Sequence, residues 1–223
     1  HVVGHPRYDR RCMKLPSSNN KKMEKKIGLI TRQPLLNDFL NRNPINAIVA
    51  DSVEEKYTYF NKSTGDAFKD RSISASNEVC VEAIDISIMI KLIVELNDNK
   101  HKVYLKVHPR EDRNLWVGII KEYKLKVILA DWDMPFLHWL RGIDCVVGPA
   151  STSFYDCCVA KVLPICTRKV DASREGHVSI SSDENSDLMS YVLHPNSIGE
   201  VIRIINNYDG EYTPHEEVVE ILH

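Results

Sequence analysis

The strand-like run Val103-Tyr104-Leu105-Lys106-Val107 ends in His108-Pro109, and a later run, Asp144-Cys145-Val146-Val147, ends in Gly148-Pro149-Ala150-Ser151-Thr152-Ser153 before a helix. Proline fixes φ and stops a strand, so Pro109 holds His108 at a strand tip. There an imidazole can donate a hydrogen bond to a phosphate oxygen or help protonate a leaving group. In the second segment Gly148 and Pro149 shape a corner. Ser151, Thr152 and Ser153 then set hydroxyls and backbone N–H groups on a helix start, which suits phosphate. The same hydroxyls also serve as ordinary helix caps. His5-Pro6 and His194-Pro195 repeat the dipeptide, so placement at a strand tip, rather than the dipeptide itself, singles out His108.

Between these tips, Ala130-Asp131-Trp132-Asp133-Met134-Pro135 leaves another strand and could offer backbone groups to a nucleobase, with Trp132 as a wall. Asp133 and Pro135 fit the alternative of a capped helix start. Arg32-Gln33 ends the first strand, where a polar side chain would face an anionic ligand. Arg110 could pair with the same charge, but with Glu111 and Asp112 beside it the residue reads as solvated. No metal site emerges, because the nine histidines show neither HxxxH nor HExxH spacing and Asp131 with Asp133 is too little for a cage. GxGxxG, GxxxxGK[ST] and GxSxG are all absent, which argues against a dinucleotide fingerprint, a P-loop and a serine-hydrolase elbow.

The elements that must position these groups alternate. Strands are expected at Lys26 to Thr31, Val103 to Val107, Lys126 to Ala130, Cys145 to Val147 and Leu163 to Thr167. Helices are expected at Leu35 to Asn41, Val79 to Asn97, Arg113 to Tyr123, Met134 to Arg141, Thr152 to Ala160, Ser197 to Tyr208 and Pro214 to Leu222. Ile84, Ile88, Leu92 and Leu96, four apart, draw the clearest helical stripe. Asn43 to Asn77, with a small strand candidate at Ala47 to Ala50 and aromatics from Tyr57 to Phe60, reads as an insertion or loop. Strands alternating with helices imply an α/β, Rossmann-like three-layer domain with a mainly parallel sheet. Residues 1–25, with the basic stretch Ser17 to Lys26, read as a linker from a preceding domain, and 26–223 as the Rossmann-like domain. The chain opens without Met or a signal-peptide pattern, and the expectation is a fragment of a longer protein.

With 223 residues, 43% hydrophobic, the chain can bury a sizeable core. A formal charge of −2 gives no global attraction to nucleic acid, so an anion site must be local. The six cysteines form no CxxC and read as reduced core thiols. No apolar run reaches a membrane span, and a cytoplasmic protein is expected, at the inner face of the membrane if it meets lipid at all.

The order of these features resembles the C-terminal half of GT-B glycosyltransferases of bacterial surface polysaccharides. The resemblance lies in Val3-Gly4-His5-Pro6-Arg7-Tyr8-Asp9, Thr31-Arg32-Gln33-Pro34, Lys106-Val107-His108-Pro109, the Ala130-Asp131 loop and Asp144 to Ile165. It implies one half of a GT-B architecture and, as in CMP-sialic acid and CMP-Kdo transferases, donor-phosphate roles for His108, Pro109, Ser151, Thr152 and Ser153. Gln33, Asp131 and Trp132 complete the expected nucleotide site. Asp156 lies eight residues before Pro164 where the family's helix acid lies seven before, and Lys161 or Val162 stands where the pattern has Gly. The implied function is the donor-binding half of a transferase using a nucleotide-activated sugar, CMP-linked by preference, in capsule or lipopolysaccharide synthesis. A UDP-GlcNAc 2-epimerase-like enzyme and a non-catalytic nucleotide-binding domain are the alternatives. No cofactor is implied. The implied partners are the nucleotide-sugar substrate, a glycan acceptor and the protein's own N-terminal half, which would carry the catalytic base.

Overall fold

The computed structural model of the chain describes residues 24–40, 66–170 and 192–214. Among them five strands, β1 (Lys26–Ile30), β2 (Lys102–Lys106), β3 (Val127–Leu129), β4 (Cys145–Gly148) and β5 (Leu163–Cys166), form one sheet in the order β3-β2-β1-β4-β5. Every neighbouring pair is parallel. The helices are α1 (Asp66–Asp98), α2 (Arg113–Glu122), α3 (Phe136–Leu140), α4 (Ser153–Val159) and α5 (Ile198–Asn207). The expected α/β, Rossmann-like architecture is therefore present.

The period-2 alternation of strand side chains divides the core into two layers. Ile27, Leu29, Val103, Leu105, Cys145, Val147, Leu163 and Ile165 pack on one face against Ile88, Met89, Leu92, Ile93 and Leu96 of α1 and Val201, Ile202 and Ile205 of α5. Ile30, Val146 and Cys166 pack on the other face against Trp139 and Leu140 of α3 and Phe154, Cys157 and Cys158 of α4. Gly28 lies on this second face beneath α3, where a Cβ would sit 2.6 Å from Trp139 and 2.9 Å from Ile143. The cysteines at 145, 157, 158 and 166 are buried free thiols, as expected, whereas Cys80 is exposed. Lys25, just before β1, is buried too, with its Nζ donating to the carbonyls of Ile205 and Asn206 at 2.7 and 3.2 Å at the end of α5.

Three elements differ from expectation. Helix α1 begins at Asp66 instead of Val79, taking in part of the stretch read as a loop, where no stripe with a spacing of four precedes Ile84. The short helix at Leu35 to Asn41 is replaced, over its described residues, by one turn closed by Asn37 N–H to the Gln33 carbonyl at 2.9 Å, followed by an antiparallel bridge between Asp38 and Glu111. The amides of Leu35 and Leu36 are claimed by the Glu82 carboxylate instead of a helical ladder. At the start of α3 the cap position is Pro135, with no side-chain cap bond from Asp133. The expected strand Ala47 to Ala50 and most of the expected helix Pro214 to Leu222 lie outside the described residues.

The helices that precede β2, β3 and β5 end alike. Lys100, Lys124 and Lys161 have φ of 63°, 51° and 54°. Each is followed by a residue whose N–H reaches back to the helix: His101 to Leu96, Leu125 to Ile120 and Val162 to Cys157, at 3.0, 3.0 and 2.9 Å. These are Schellman closures, in which the left-handed residue is ordinarily Gly. Lys161, one of the two residues the resemblance set against a Gly, keeps a glycine-type backbone at the cost of its Cβ contact. Lys161→Gly is expected to stabilise the fold by about 0.5–1 kcal/mol, read as a higher urea midpoint at unchanged slope.

Candidate functional site

Because all strands run parallel, the tips after β1, β2, β3 and β4 open on one edge of the sheet. Chain order reverses between β1 and β4, and the crevice outside the carboxyl ends at such a switch point is where open α/β sheets hold ligands. Arg32, exposed just past β1, spans that point, its Nη1 donating to the Ala150 carbonyl at 2.6 Å. The strands can close here because β4 ends in Gly148. A Cβ there would lie 2.7 Å from the Ile30 carbonyl oxygen and collide with the Ile30 side chain.

At the neighbouring tip His108 is half-buried and held at both ends. Its backbone N–H donates to Thr31 Oγ1 at 2.9 Å, and the Arg110 N–H donates to its Nδ1 at 3.2 Å. An accepting Nδ1 places the proton of the neutral ring on Nε2. Burial and then the Arg32 charge lower the His108 pKa. Toward an anion at this edge His108 could offer a neutral N–H and Arg32 a positive charge. Pro109 is exposed in the turn closed by Glu111 N–H to the His108 carbonyl at 2.9 Å.

On the other side, Ser151 Oγ accepts the Ser153 N–H at 3.2 Å. The Phe154 and Tyr155 amides turn back to the carbonyls of Ser151 and Thr152, both at 3.1 Å. The first amides of the seven-residue α4 are therefore used locally. What this tip offers is hydroxyls: Thr152 exposed, Ser151 and Ser153 partly so. Asp156 is fully buried within α4.

The β3 tip is joined to β2 by Lys106, whose Nζ donates to the carbonyls of Asp131 and Met134 at 2.9 and 2.7 Å. Burial lowers the Lys106 pKa, against the pull of Asp133 and Asp131. The side chains of Asp131 and Trp132 are exposed, and Trp132 stacks on Phe39 with centroids 5.7 Å apart and planes at 27°. Gln33 is placed differently from Arg32. It is fully buried, and neither side-chain polar atom has a partner among the described residues.

Two residues that sequence reasoning did not single out hold this edge together. Glu111, fully buried, accepts from Thr31 Oγ1 and the Gln33 N–H at 2.8 Å each, from Trp116 Nε1 at 3.1 Å and from Asn37 Nδ2 at 3.4 Å. Glu82 of α1 accepts the Leu35 and Leu36 amides on Oε2 at 2.9 and 2.8 Å. Nothing in the local charge pattern separates either from the other acids around it. Glu82 is no easier to find, since the amides it accepts come from another element. Among the described residues no cluster of three or more His, Cys, Asp or Glu could hold a metal, and no helix is long and apolar enough to cross a membrane.

Residues 78–163 match the family model of alpha-2,8-polysialyltransferase (POLYST). The matched segment is under half of the chain and runs from α1 into β5, carrying His108, Asp131, Trp132 and Ser151 to Ser153, while Arg32 and Gln33 precede it. Among solved structures the chain is similar to the wall teichoic acid polymerase TagF, with 13% identity and a TM-score of 0.44. That similarity covers 96% of this chain and 40% of the polymerase chain. No curated protein matches in sequence.

Burial pushes the Glu82 carboxyl up to about 8, with Glu111 and Glu78 adding repulsion and the two loop amides opposing. The folded chain therefore keeps a proton that the unfolded chain releases above the ordinary value of 4.5, and stability falls as pH rises from 4.5 to about 8. Glu82→Gln keeps an acceptor for both amides and cannot titrate. Urea midpoints measured across this range are expected to fall less steeply with pH in the variant than in the wild type.

Proposed function

We propose that this chain is the donor-binding half of a GT-B glycosyltransferase that uses a nucleotide-activated sugar, CMP-linked, for surface polysaccharide synthesis. The observation that carries the reading is the bridging of the switch point by Arg32, with the Nε2–H of His108 on one side and the hydroxyls of Ser151, Thr152 and Ser153 on the other. The match of residues 78–163 to a polysialyltransferase family supports glycosyl transfer, and a sialyl donor is consistent with the CMP preference.

In this reading the donor's phosphate lies across the β2, β1 and β4 tips, and the nucleobase lies against Trp132 and the Asp131 loop at β3. Strands stand about 4.8 Å apart, so these tips span roughly three such spacings. During transfer the bond from the anomeric carbon to the phosphate oxygen breaks and its electron pair stays on the phosphate. Arg32 and His108 stabilise that developing charge from fixed positions. The acceptor hydroxyl forms the new bond to the anomeric carbon and gives its proton to a base on the N-terminal half, the partner this reading requires. No step calls for a cofactor. The setting is cytoplasmic, where the activated donor is available.

Isothermal titration of the chain with CMP, CDP and UDP tests the proposal. CMP is expected to bind most tightly, and His108→Ala and Arg32→Gln should each weaken it by roughly tenfold or more, the scale of one lost hydrogen bond to a charged group. Binding of UDP alone would favour the epimerase-like alternative, and binding of no nucleotide would overturn the reading.

A further inference from the structure

Glu111 is a buried acid that touches both the loop after β1 and the loop after β2. Its two carboxylate oxygens have about four acceptor positions, and four donors fill them: Thr31, Gln33, Asn37 and Trp116. Thr31 has a single hydroxyl hydrogen, and this goes to Glu111, so the lone pairs of Thr31 are left to receive the His108 N–H at 2.9 Å. A chain of hydrogen bonds thus runs from the His108 amide through Thr31 to the carboxylate. Each bond polarises the next.

The same carboxylate holds the residues on both sides of Arg32. Thr31 precedes it and Gln33 follows it, each bonded to Oε1 at 2.8 Å. The backbone bridge Phe39 N–H to the Arg110 carbonyl and Asp112 N–H to the Asn37 carbonyl, at 2.9 and 3.0 Å, fixes the two loops around it. Burying an acid is costly, and an apolar side chain would fill the space more cheaply. The geometry gives the acid a different use.

We infer that Glu111 is the positioning residue of this edge, its carboxylate acting through Thr31 to fix the directions from which His108 and Arg32 meet an anionic ligand. The ligand assignment rests on the nucleotide reading above; the positioning itself does not. Glu111 needs no contact with the ligand, since it works through residues that have one.

The test uses Thr31→Val, Thr31→Ser and Glu111→Gln in the full chain. Three quantities are measured: CMP affinity, hydrogen exchange of the His108 amide, and the ring-nitrogen chemical shifts that report the His108 tautomer. Thr31→Val keeps the shape of the side chain and removes the relay. It is expected to weaken CMP and to speed exchange of the His108 amide, each by roughly tenfold, and Thr31→Ser is expected to restore both. Glu111→Gln sets an NH2 group against the donors of Asn37 and Trp116, and the ring is expected to move from the pure Nε2–H form to a mixture of tautomers. Should Glu111→Gln fail to fold, the Val and Ser pair decides. Variants that lose stability but keep wild-type CMP affinity and His108 tautomer would overturn the inference, because that is what a purely structural acid does. If the wild type binds no CMP, the nucleotide reading fails by itself, and unchanged amide exchange and tautomer in the variants would still overturn the role of Glu111.

Discussion

The central strand β1 is hydrogen-bonded on both sides to parallel partners, β2 in register from Lys26↔Lys102 to Ile30↔Lys106 and β4 from Ile27↔Cys145 to Leu29↔Val147. Parallel pairing sends every strand tip to the same edge. It also fixes their order, so that the loop after β1 stands between the histidine of one neighbour and the hydroxyls of the other. Antiparallel pairing at either side would have sent one of these groups to the opposite end of the sheet. The closeness of β1 and β4 at Gly148 completes the constraint, since it lets Arg32 reach the Ala150 carbonyl.

A single loop therefore carries much of the edge, and its shape is not its own. Residues 31 to 38 make one turn and a bridge, and the amides of Gln33, Leu35 and Leu36 and the Thr31 hydroxyl are satisfied by two acids brought from elsewhere: Glu82 from α1 and Glu111 from the loop after β2. Both acids are raised in pKa by burial, and the charge of Glu111 adds to the cost of ionising Glu82. The arrangement accepts an electrostatic penalty inside the protein and leaves the positive and hydroxyl groups at the rim. His108, made a neutral donor by burial and by Arg32, and Arg32, which stays exposed, divide hydrogen bonding and charge between two neighbouring strands.

Much of the scaffold was legible from pattern. The helix stripe through Ile88, Leu92 and Leu96 and the short apolar runs at each strand were readable because burial imposes a period of 3.6 on helices and permits near-continuous apolar runs in buried parallel strands. The first half of α1 was not readable, as its residues from Asp66 lack the apolar stripe that marks the second half. The turn at Leu35 was mistaken for a helix because its local sequence does not disclose that a distant carboxylate would take its amides. For the candidate site, His108 and the Ser151 to Ser153 hydroxyls were read from strand-tip placement, and parallel pairing sets both on one edge. Arg32 and Gln33 were seen as a pair, and which of them would face outward depended on packing around β1. Glu111, three residues beyond His108, looked like one more solvated charge beside Arg110 and Asp112.

By itself the sequence determined the alternation of strands and helices, the residues that end each strand and the chemical groups available at those ends, because these follow from local propensity and periodicity. Strand order, and with it the meeting of Arg32 with Ala150 and of Thr31 with both His108 and Glu111, was decided only by the tertiary structure. Those contacts join residues some eighty to a hundred and twenty positions apart, as the separations of 77, 80 and 118 show. No local rule encodes such pairs. They form once the strands take the order β3-β2-β1-β4-β5, which brings the groups at the tips within reach of one another.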